Sequence, residues 1–246
     1  MALFVTGGSR GIGRAIVEAA VTAGHDVAFT FREAEDAAAD LVGWAGREAP
    51  GARCRAYRLD VRDPAEVERV GDQVLEDFDA VRAVVCNAGI LRNGVAAHMS
   101  DEAWADVLAT NLTGSFYVAR HFLMPFLAQG GGRLVFMGSL AQHGISGQAN
   151  YSASKAGLVG LSKALAKEYG RKGITANVVV PGFFDTDLTR EGMAAGHKDF
   201  WNAYCPVGRM GRLEEVARVV LFLASDASSF VNGAEIPVTG GLDWAS

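Results

Sequence analysis

The chain has few of the residues that staple or extend a fold. Its 246 residues contain three cysteines, Cys54, Cys86 and Cys205, an odd number at wide spacing. No Cys-x-x-Cys pair or His/Cys cluster accompanies them, so neither a disulfide framework nor a metal site is expected, and reduced thiols in a reducing compartment are. Prolines number only 6, and no low-complexity tract, linker or internal repeat interrupts the sequence. Basic blocks are missing too: 23 Lys and Arg stand against 28 Asp and Glu, for a net charge of -5. A nucleic-acid partner needs clustered Lys and Arg, so none is expected. No apolar stretch reaches the roughly 20 residues of a membrane span. Met1-Ala2-Leu3-Phe4-Val5 enters an apolar run at once, without the basic leader and core of a signal peptide. These absences lead to the expectation of a cytoplasmic protein with no membrane partner.

What is abundant is apolar residues, half of the chain, and glycine, at 30 positions. That is enough material for one sizeable core. Short apolar runs at 2–6, 26–30, 83–86, 133–137 and 175–180 read as strands, with 53–59 and 235–239 as weaker cases. Runs such as Leu134-Val135-Phe136-Met137 suit parallel strands covered on both faces. Amphipathic segments lie between them. Ile12, Ala15, Ile16, Ala19, Ala20 and Ala23 follow helical spacing, and Gly24 is placed to end that helix. Asp63-Pro64-Ala65-Glu66 and Ser100-Asp101-Glu102 read as helix starts. Further helices are expected near 150–169 and 213–223. Strand alternating with helix throughout predicts an α/β, doubly wound parallel sheet (a Rossmann fold) in a single domain, 1–246.

The first strand runs into Thr6-Gly7-Gly8-Ser9-Arg10-Gly11-Ile12-Gly13 and then directly into a helix. Glycines let the backbone turn sharply and approach a diphosphate seated on the helix N-terminus, so this order predicts a dinucleotide site. An acid about twenty residues past the glycines would favour NAD. The second strand ends instead at Thr30-Phe31-Arg32, where Arg32 and Arg10 can clasp a 2′-phosphate, so NADPH/NADP is expected over NAD. The alternative is that Arg32 is a solvated charge and Glu33 does the selecting.

Tyr151-Ser152-Ala153-Ser154-Lys155 places Tyr and Lys one helical turn apart. A tyrosine of ordinary pKa, about 10, becomes a useful acid/base once a cation stabilises its phenolate, and Lys155 can supply that charge. Ser139 follows a strand end, where a parallel sheet delivers side chains to its crevice. Asn111 sits inside a predicted helix, where Asn is a poor choice, so a functional reason is plausible. Singly, each has a plainer reading: a surface Tyr/Lys pair, a turn serine, a satisfied polar residue at a kink. Their coincidence with the glycine turn favours a catalytic set.

Together these motifs resemble the short-chain dehydrogenases/reductases, from the first strand to Gly240-Gly241. Thr6 to Gly13 is similar to that family's cofactor motif, with Gly7, Ser9, Arg10, Gly11, Ile12 and Gly13 at the binding positions. Asn87-Ala88-Gly89 resembles its Asn-Ala-Gly element, and Asp60-Val61 the pair that contacts adenine. Pro181-Gly182-Phe183-Phe184-Asp185-Thr186 resembles the segment beside the nicotinamide, which assigns Pro181, Gly182, Phe184 and Thr186 to the cofactor. Asn111, Ser139, Tyr151 and Lys155 match the catalytic tetrad, and Tyr151 and Lys155 also meet the cofactor.

Within the family, Gly147-Gln148-Ala149-Asn150-Tyr151 and Phe184-Asp185-Thr186-Asp187 are most similar to β-ketoacyl-(acyl-carrier-protein) reductases and their acetoacetyl-CoA and polyketide relatives. The resemblance implies NADPH-dependent reduction of a thioester-linked ketone and a homotetramer built partly through about 101–127 and 150–169. It also implies an acyl carrier protein partner. One basic position that meets the carrier is matched by Lys172, beside Arg171, whereas the other is Gly130. Cys86 replaces an Asn before Asn-Ala-Gly, with no chemical effect expected. Leu91, Arg92, His98, the 140–148 loop and 185–205 are expected around the substrate, the last as a lid carrying Phe200, Trp201 and Tyr204. Rival readings are a dehydrogenase of a sugar, polyol or steroid alcohol on the same scaffold and a non-catalytic NADP-binding regulator. An enoyl reductase is disfavoured, because Tyr and Lys stand further apart in such relatives.

Overall fold

A computed structural model of the chain describes residues 1–187, 189 and 203–242. The apolar runs form seven strands: β1 (Ala2–Val5), β2 (Asp26–Phe31), β3 (Cys54–Arg58), β4 (Val81–Cys86), β5 (Gly132–Met137), β6 (Ile174–Pro181) and β7 (Glu235–Val238). They make one sheet in the order β3-β2-β1-β4-β5-β6-β7. Every pairing is parallel, so the expected α/β doubly wound sheet is what forms, including both weaker strands.

Helices cover both faces, which is why the strands read as continuous apolar runs rather than alternating ones. They are α1 (Gly11–Thr22), α2 (Glu35–Glu48), α3 (Pro64–Asp77), α4 (Asp101–Leu108), α5 (Gly114–Ala128), α6 (Ala149–Tyr169) and α7 (Leu213–Ala224). One core layer joins Phe4, Phe136 and Leu134 to Phe122 and Phe126 of α5 and Leu158 of α6. The opposite layer joins Leu3, Val5 and Phe29 to Ile16 of α1, Leu41 of α2 and Val220 of α7.

The predicted stops and starts are observed. Gly24 takes φ +79° after α1, a left-handed conformation that glycine adopts without steric cost. Asp63 Oδ1 caps α3 by accepting from Ala65 N at 2.9 Å and Glu66 N at 3.3 Å. Ser100 Oγ accepts from Ala103 N at 3.1 Å and opens α4. One feature departs from the expected continuous helix around Asn111: a π-turn, Ala109–Thr113, separates α4 from α5. Most of the expected 185–205 lid, with Phe200 and Trp201, lies outside the described residues. Among the described residues no helix is long and apolar enough to cross a membrane.

Candidate active site

Strand order reverses between β1 and β4, which opens a crevice at their C-terminal ends, where such sheets hold ligands. The glycine turn forms its floor. Gly7 and Gly11 take φ +64° and +54°, and a Cβ at Gly13 would stand 2.2 Å from the Gly7 carbonyl oxygen. The turn is braced from β4: Asn87 Nδ2 donates to the carbonyls of Thr6 and Gly7, both at 3.0 Å. In return Thr6 Oγ1 accepts from the backbone N–H of Asn87 and Ala88, each at 3.0 Å. No side chain caps α1 and no acid occupies its first turn, leaving its N–H groups and positive end directed at the cleft. A cradle closed to side chains and lined with open donors fits the diphosphate of a dinucleotide cofactor.

The cleft has a volume of about 350 Å³. From the glycine turn it extends past Arg32 and Glu33 at the end of β2, past Asp60 and Val61 after β3, and along Ala88 and Gly89 to Thr186. At its adenosine end Arg32 Nε donates to Glu33 Oε1 at 3.0 Å, and Arg58 Nε donates to the Arg32 carbonyl at 3.3 Å. Arg10 reaches Asp187 at 3.8 Å. Asp60 is tied to Arg62, whose Nη2 donates at 2.6 Å, and this pairing holds the carboxyl below its ordinary pKa.

The π-turn places Asn111, fully buried, against the loop after β4. Its Oδ1 accepts from Ile90 N at 2.8 Å, while Nδ2 donates to Ile90 O and to Ser154 Oγ, both at 3.1 Å. Ser154 Oγ in turn donates to the Tyr151 carbonyl at 2.7 Å, so Asn111 ties the loop lining the cleft to the helix carrying Tyr151 and Lys155. Lys155 Nζ donates to the Met137 carbonyl at 2.7 Å and lies 5.4 Å from the centroid of the Tyr151 ring. A Cβ at Gly89 would stand 3.3 Å from Asn111 Oδ1 and 3.6 Å from Lys155 Nζ, so Gly89 is where the cleft meets Asn111 and Lys155.

Tyr151 packs among Val107, Ala141, Ile90, Leu91 and Ile145. Burial pushes its phenol up to about 12, with a Ser139 hydrogen bond acting in the opposite sense. Burial also pushes Lys155 down, to about 8, and holds the neighbouring Cys86 thiol neutral by raising it to about 12. Lys155 therefore loses its charge within the working range of an enzyme. We expect kcat/KM for the reduced cofactor, which reports the cofactor-free protein, to fall tenfold per pH unit above about pH 8. A profile flat to pH 10 would show that Lys155 keeps its proton. The effect on stability has the opposite sense. Between the folded pKa of about 8 and the unfolded value of 10.5 only the unfolded chain holds the proton, so Lys155 adds stability as pH rises through that window.

Most residues assigned from sequence converge here. Gly7, Ser9, Arg10, Gly11, Ile12, Gly13, Arg32, Asp60, Val61, Asn87, Ala88, Gly89 and Thr186 line one cleft. Pro181, Gly182 and Phe184 do not line it. Phe184 turns its buried ring towards Gly211, where a Cβ would stand 2.3 Å from the ring, and it borders a separate cavity. Leu91 and Arg92 line the cofactor cleft, while His98 and His143 are exposed. Residues missed from the sequence are braces: Thr6, Thr30, whose Oγ1 accepts from Gly7 N at 3.2 Å, and Ser154. Asn150, also missed, donates from Nδ2 to the carbonyls of Arg92 at 3.0 Å and Ala103 at 3.1 Å. For Thr6 and Thr30 the available signal was a small polar residue at the end of an apolar strand; Ser154 and Asn150 carried none.

The comparisons with known proteins agree with this geometry. Residues 7–243 match the family described as Enoyl-(Acyl carrier protein) reductase. The chain is 40% identical to 3-oxoacyl-[acyl-carrier-protein] reductase FabG of Salmonella typhimurium, over 97% of this chain and 95% of that one. It is 39% identical to 3-oxoacyl-[acyl-carrier-protein] reductase MabA of Mycobacterium tuberculosis, over 98% and 92% of the two chains. The crystal structure of levodione reductase superposes with a TM-score of 0.93 at 30% identity, covering 98% of this chain and 96% of that one. With the glycine turn at the head of a parallel sheet, the chain belongs to the short-chain dehydrogenase/reductase family and is a nicotinamide-dependent oxidoreductase acting on CH–OH/C=O groups.

Proposed function

We propose that the protein reduces a ketone to a secondary alcohol with NADPH, the substrate being a 3-oxoacyl thioester on a carrier protein or CoA. The observation that carries the reaction is the junction at Gly89, where the cofactor cleft meets Asn111 and Lys155. The substrate class is supported by the near full-length relatives named 3-oxoacyl-[acyl-carrier-protein] reductases. The bound nicotinamide supplies hydride. Ser139 holds the carbonyl oxygen, and Tyr151, kept protonated by burial, gives that oxygen its proton. Lys155 provides the positive charge that eases the phenol's deprotonation and, from beside Gly89, fixes the cofactor ribose. Asn111 holds the loop and helix in register and anchors the route by which the proton is re-supplied. The test follows the loss of reduced-nicotinamide absorbance with acetoacetyl-CoA and a longer β-ketoacyl thioester, comparing NADPH with NADH. Turnover of sugars, polyols or simple ketones without any thioester activity would transfer the function to another carbonyl on the same scaffold, for which the likeness to levodione reductase speaks.

NADPH selection is assigned to Arg32 and Arg10, and Glu33 opposes it. The Glu33 carboxylate already holds the Arg32 guanidinium that a 2′-phosphate needs. Arg32→Glu should weaken NADPH about ten- to hundredfold while NADH changes little, since hydrogen bonds to charged groups contribute about 1.5–3 kcal/mol each. Glu33→Gln should strengthen NADPH binding. Titrating both variants with both cofactors checks this, and equal effects on NADPH and NADH would sink the assignment.

A homotetramer, a cytoplasmic location and a carrier-protein partner complete the reading. Self-association through α4 and α5 is supported by exposed Trp104, Phe116 and Met124, the last 70% exposed. Arg171 and Lys172, both exposed after α6, are basic residues that an acidic carrier can meet.

A further inference from the structure

Ser139 follows β5, where Gly138 N donates to Val179 O at 2.8 Å, and leads into a single 3₁₀ turn, Leu140–His143. Inside the turn Gln142 N donates to Ser139 O at 2.9 Å, and Ser139 Oγ accepts from Ala141 N at 3.2 Å. Such a turn has poorer hydrogen-bond geometry than an α-helix, so its shape depends on ties to the rest of the chain. Leu140 and Ala141 are buried apolar residues and His143 is exposed, which leaves Gln142 as the polar tether.

Gln142 Nε2 donates at 2.8 Å to Glu235 Oε2, on the edge strand β7. The carboxylate's other oxygen, Oε1, accepts from Lys163 Nζ at 2.7 Å. Lys163 belongs to α6, about two turns beyond Lys155. One carboxylate therefore joins the turn after Ser139, the helix of Tyr151 and Lys155, and the sheet edge. Gly138 makes the reach possible. A Cβ there would stand 2.7 Å from Val178 Cγ1 and 2.9 Å from Gln142 Oε1, and Val178 is the register partner of Glu235. Gln142 Oε1 is buried with no hydrogen-bond partner, so the bond to Glu235 fixes the amide. A bond to an ionised acceptor is about twice as strong as a neutral one, which suits a single tether. We propose that Gln142 is a positioning residue for Ser139, locked by the carboxylate that it shares with Lys163. None of the three lines the cofactor cleft, and their effect passes through the place that Ser139 Oγ takes beside Tyr151. The proposal rests on the assignment of Ser139 to the substrate's carbonyl oxygen.

Gln142→Leu removes the tether at similar size. It is assayed with saturating NADPH and acetoacetyl-CoA, or ethyl acetoacetate where the thioester is not turned over. Its kcat should fall about ten- to hundredfold, the cost of a misplacement on the order of 1 Å. KM for NADPH and the thermal midpoint should stay close to wild type. Gln142→Glu sets two carboxylates against each other and should lose as much. Combining it with Glu235→Gln rebuilds the bond with donor and acceptor exchanged and should restore most of kcat. In a Ser139→Ala background Gln142→Leu should cost little more, because the residue it positions has lost its hydroxyl. Unchanged kcat in the leucine variant, no recovery in the exchanged pair, or full additivity with Ser139→Ala would each overturn the assignment. Wild-type protein inactive on both ketones would overturn the reduction reading, and this one with it. An active wild type with an unaffected leucine variant overturns the Gln142 assignment alone.

Discussion

Tyr151→Phe is expected to lower turnover by about 10²- to 10⁴-fold while leaving dinucleotide affinity and thermal midpoint close to wild type. The ring sits in an apolar nest of Val107, Ala141, Ile90, Leu91 and Ile145, which phenylalanine fills equally well. Only the hydroxyl is lost, and with it the phenolic proton donor that pairs with Ser139. Burial holds that phenol up at about 12 in the cofactor-free protein, so it carries its proton at neutral pH, as reduction of a carbonyl requires. Giving that proton up then depends on the charge of Lys155 nearby. Single-turnover absorbance separates the outcomes. Loss of the chemical step with normal binding supports the general-acid role, whereas retained turnover would exclude it.

Gly13→Ala should have the largest effect on cofactor binding. The added Cβ would stand 2.2 Å from the Gly7 carbonyl oxygen and 2.6 Å from Asn87 Nδ2. The Gly7 carbonyl cannot yield alone, because Asn87 Nδ2 donates to it and to Thr6. Either α1 moves away from the turn or the Asn87 brace breaks, and both spoil the donors aimed at the diphosphate. Overpacking of this kind costs about 1–3 kcal/mol of stability. For NADP+ and NAD+ alike, affinity should fall by at least about tenfold, since more than one charge-assisted bond of about 1.5–3 kcal/mol is displaced. Calorimetric titration beside a thermal melt checks both. Normal affinity for either dinucleotide would show that the diphosphate does not rest on this turn. A loss confined to NADP+ would place the damage at the 2′-phosphate end instead.

The fold was legible because its signals are local. Continuous apolar runs between amphipathic segments carried five strands and weaker runs the other two, and Asp63, Ser100 and Gly24 marked helix ends through hydrogen bonds and backbone preferences acting over a few residues. Two features of the backbone were missed, the helix Glu35–Glu48 and the π-turn at Ala109–Thr113, and the π-turn has no such marker. It is stabilised from elsewhere: Asn111 binds Ile90 and Ser154, and Gly114 lets the following helix approach Val61.

The same division runs through the site. Tyr151 and Lys155 are one helical turn apart and the glycines are consecutive, so chain geometry alone brings them together. Phe184, by contrast, shared a sequence motif with Thr186 but turned its ring to Gly211, because an apolar ring gains more from burial than from lining a polar cleft. The pairing of Arg32 with Glu33 was open in sequence as a choice between two selectors, and the structure shows the two bound to each other.

By itself, then, the sequence determined the seven strands, the glycine turn and the family, all of which depend on residue type at fixed spacing. Tertiary structure alone decided which backbone groups are braced by Asn87 and Asn111, which way Phe184 faces, and that Gln142 and Lys163 meet on the carboxylate of Glu235. Each of these is set by contacts between segments far apart in the chain, and such contacts leave no periodic trace in the order of the residues.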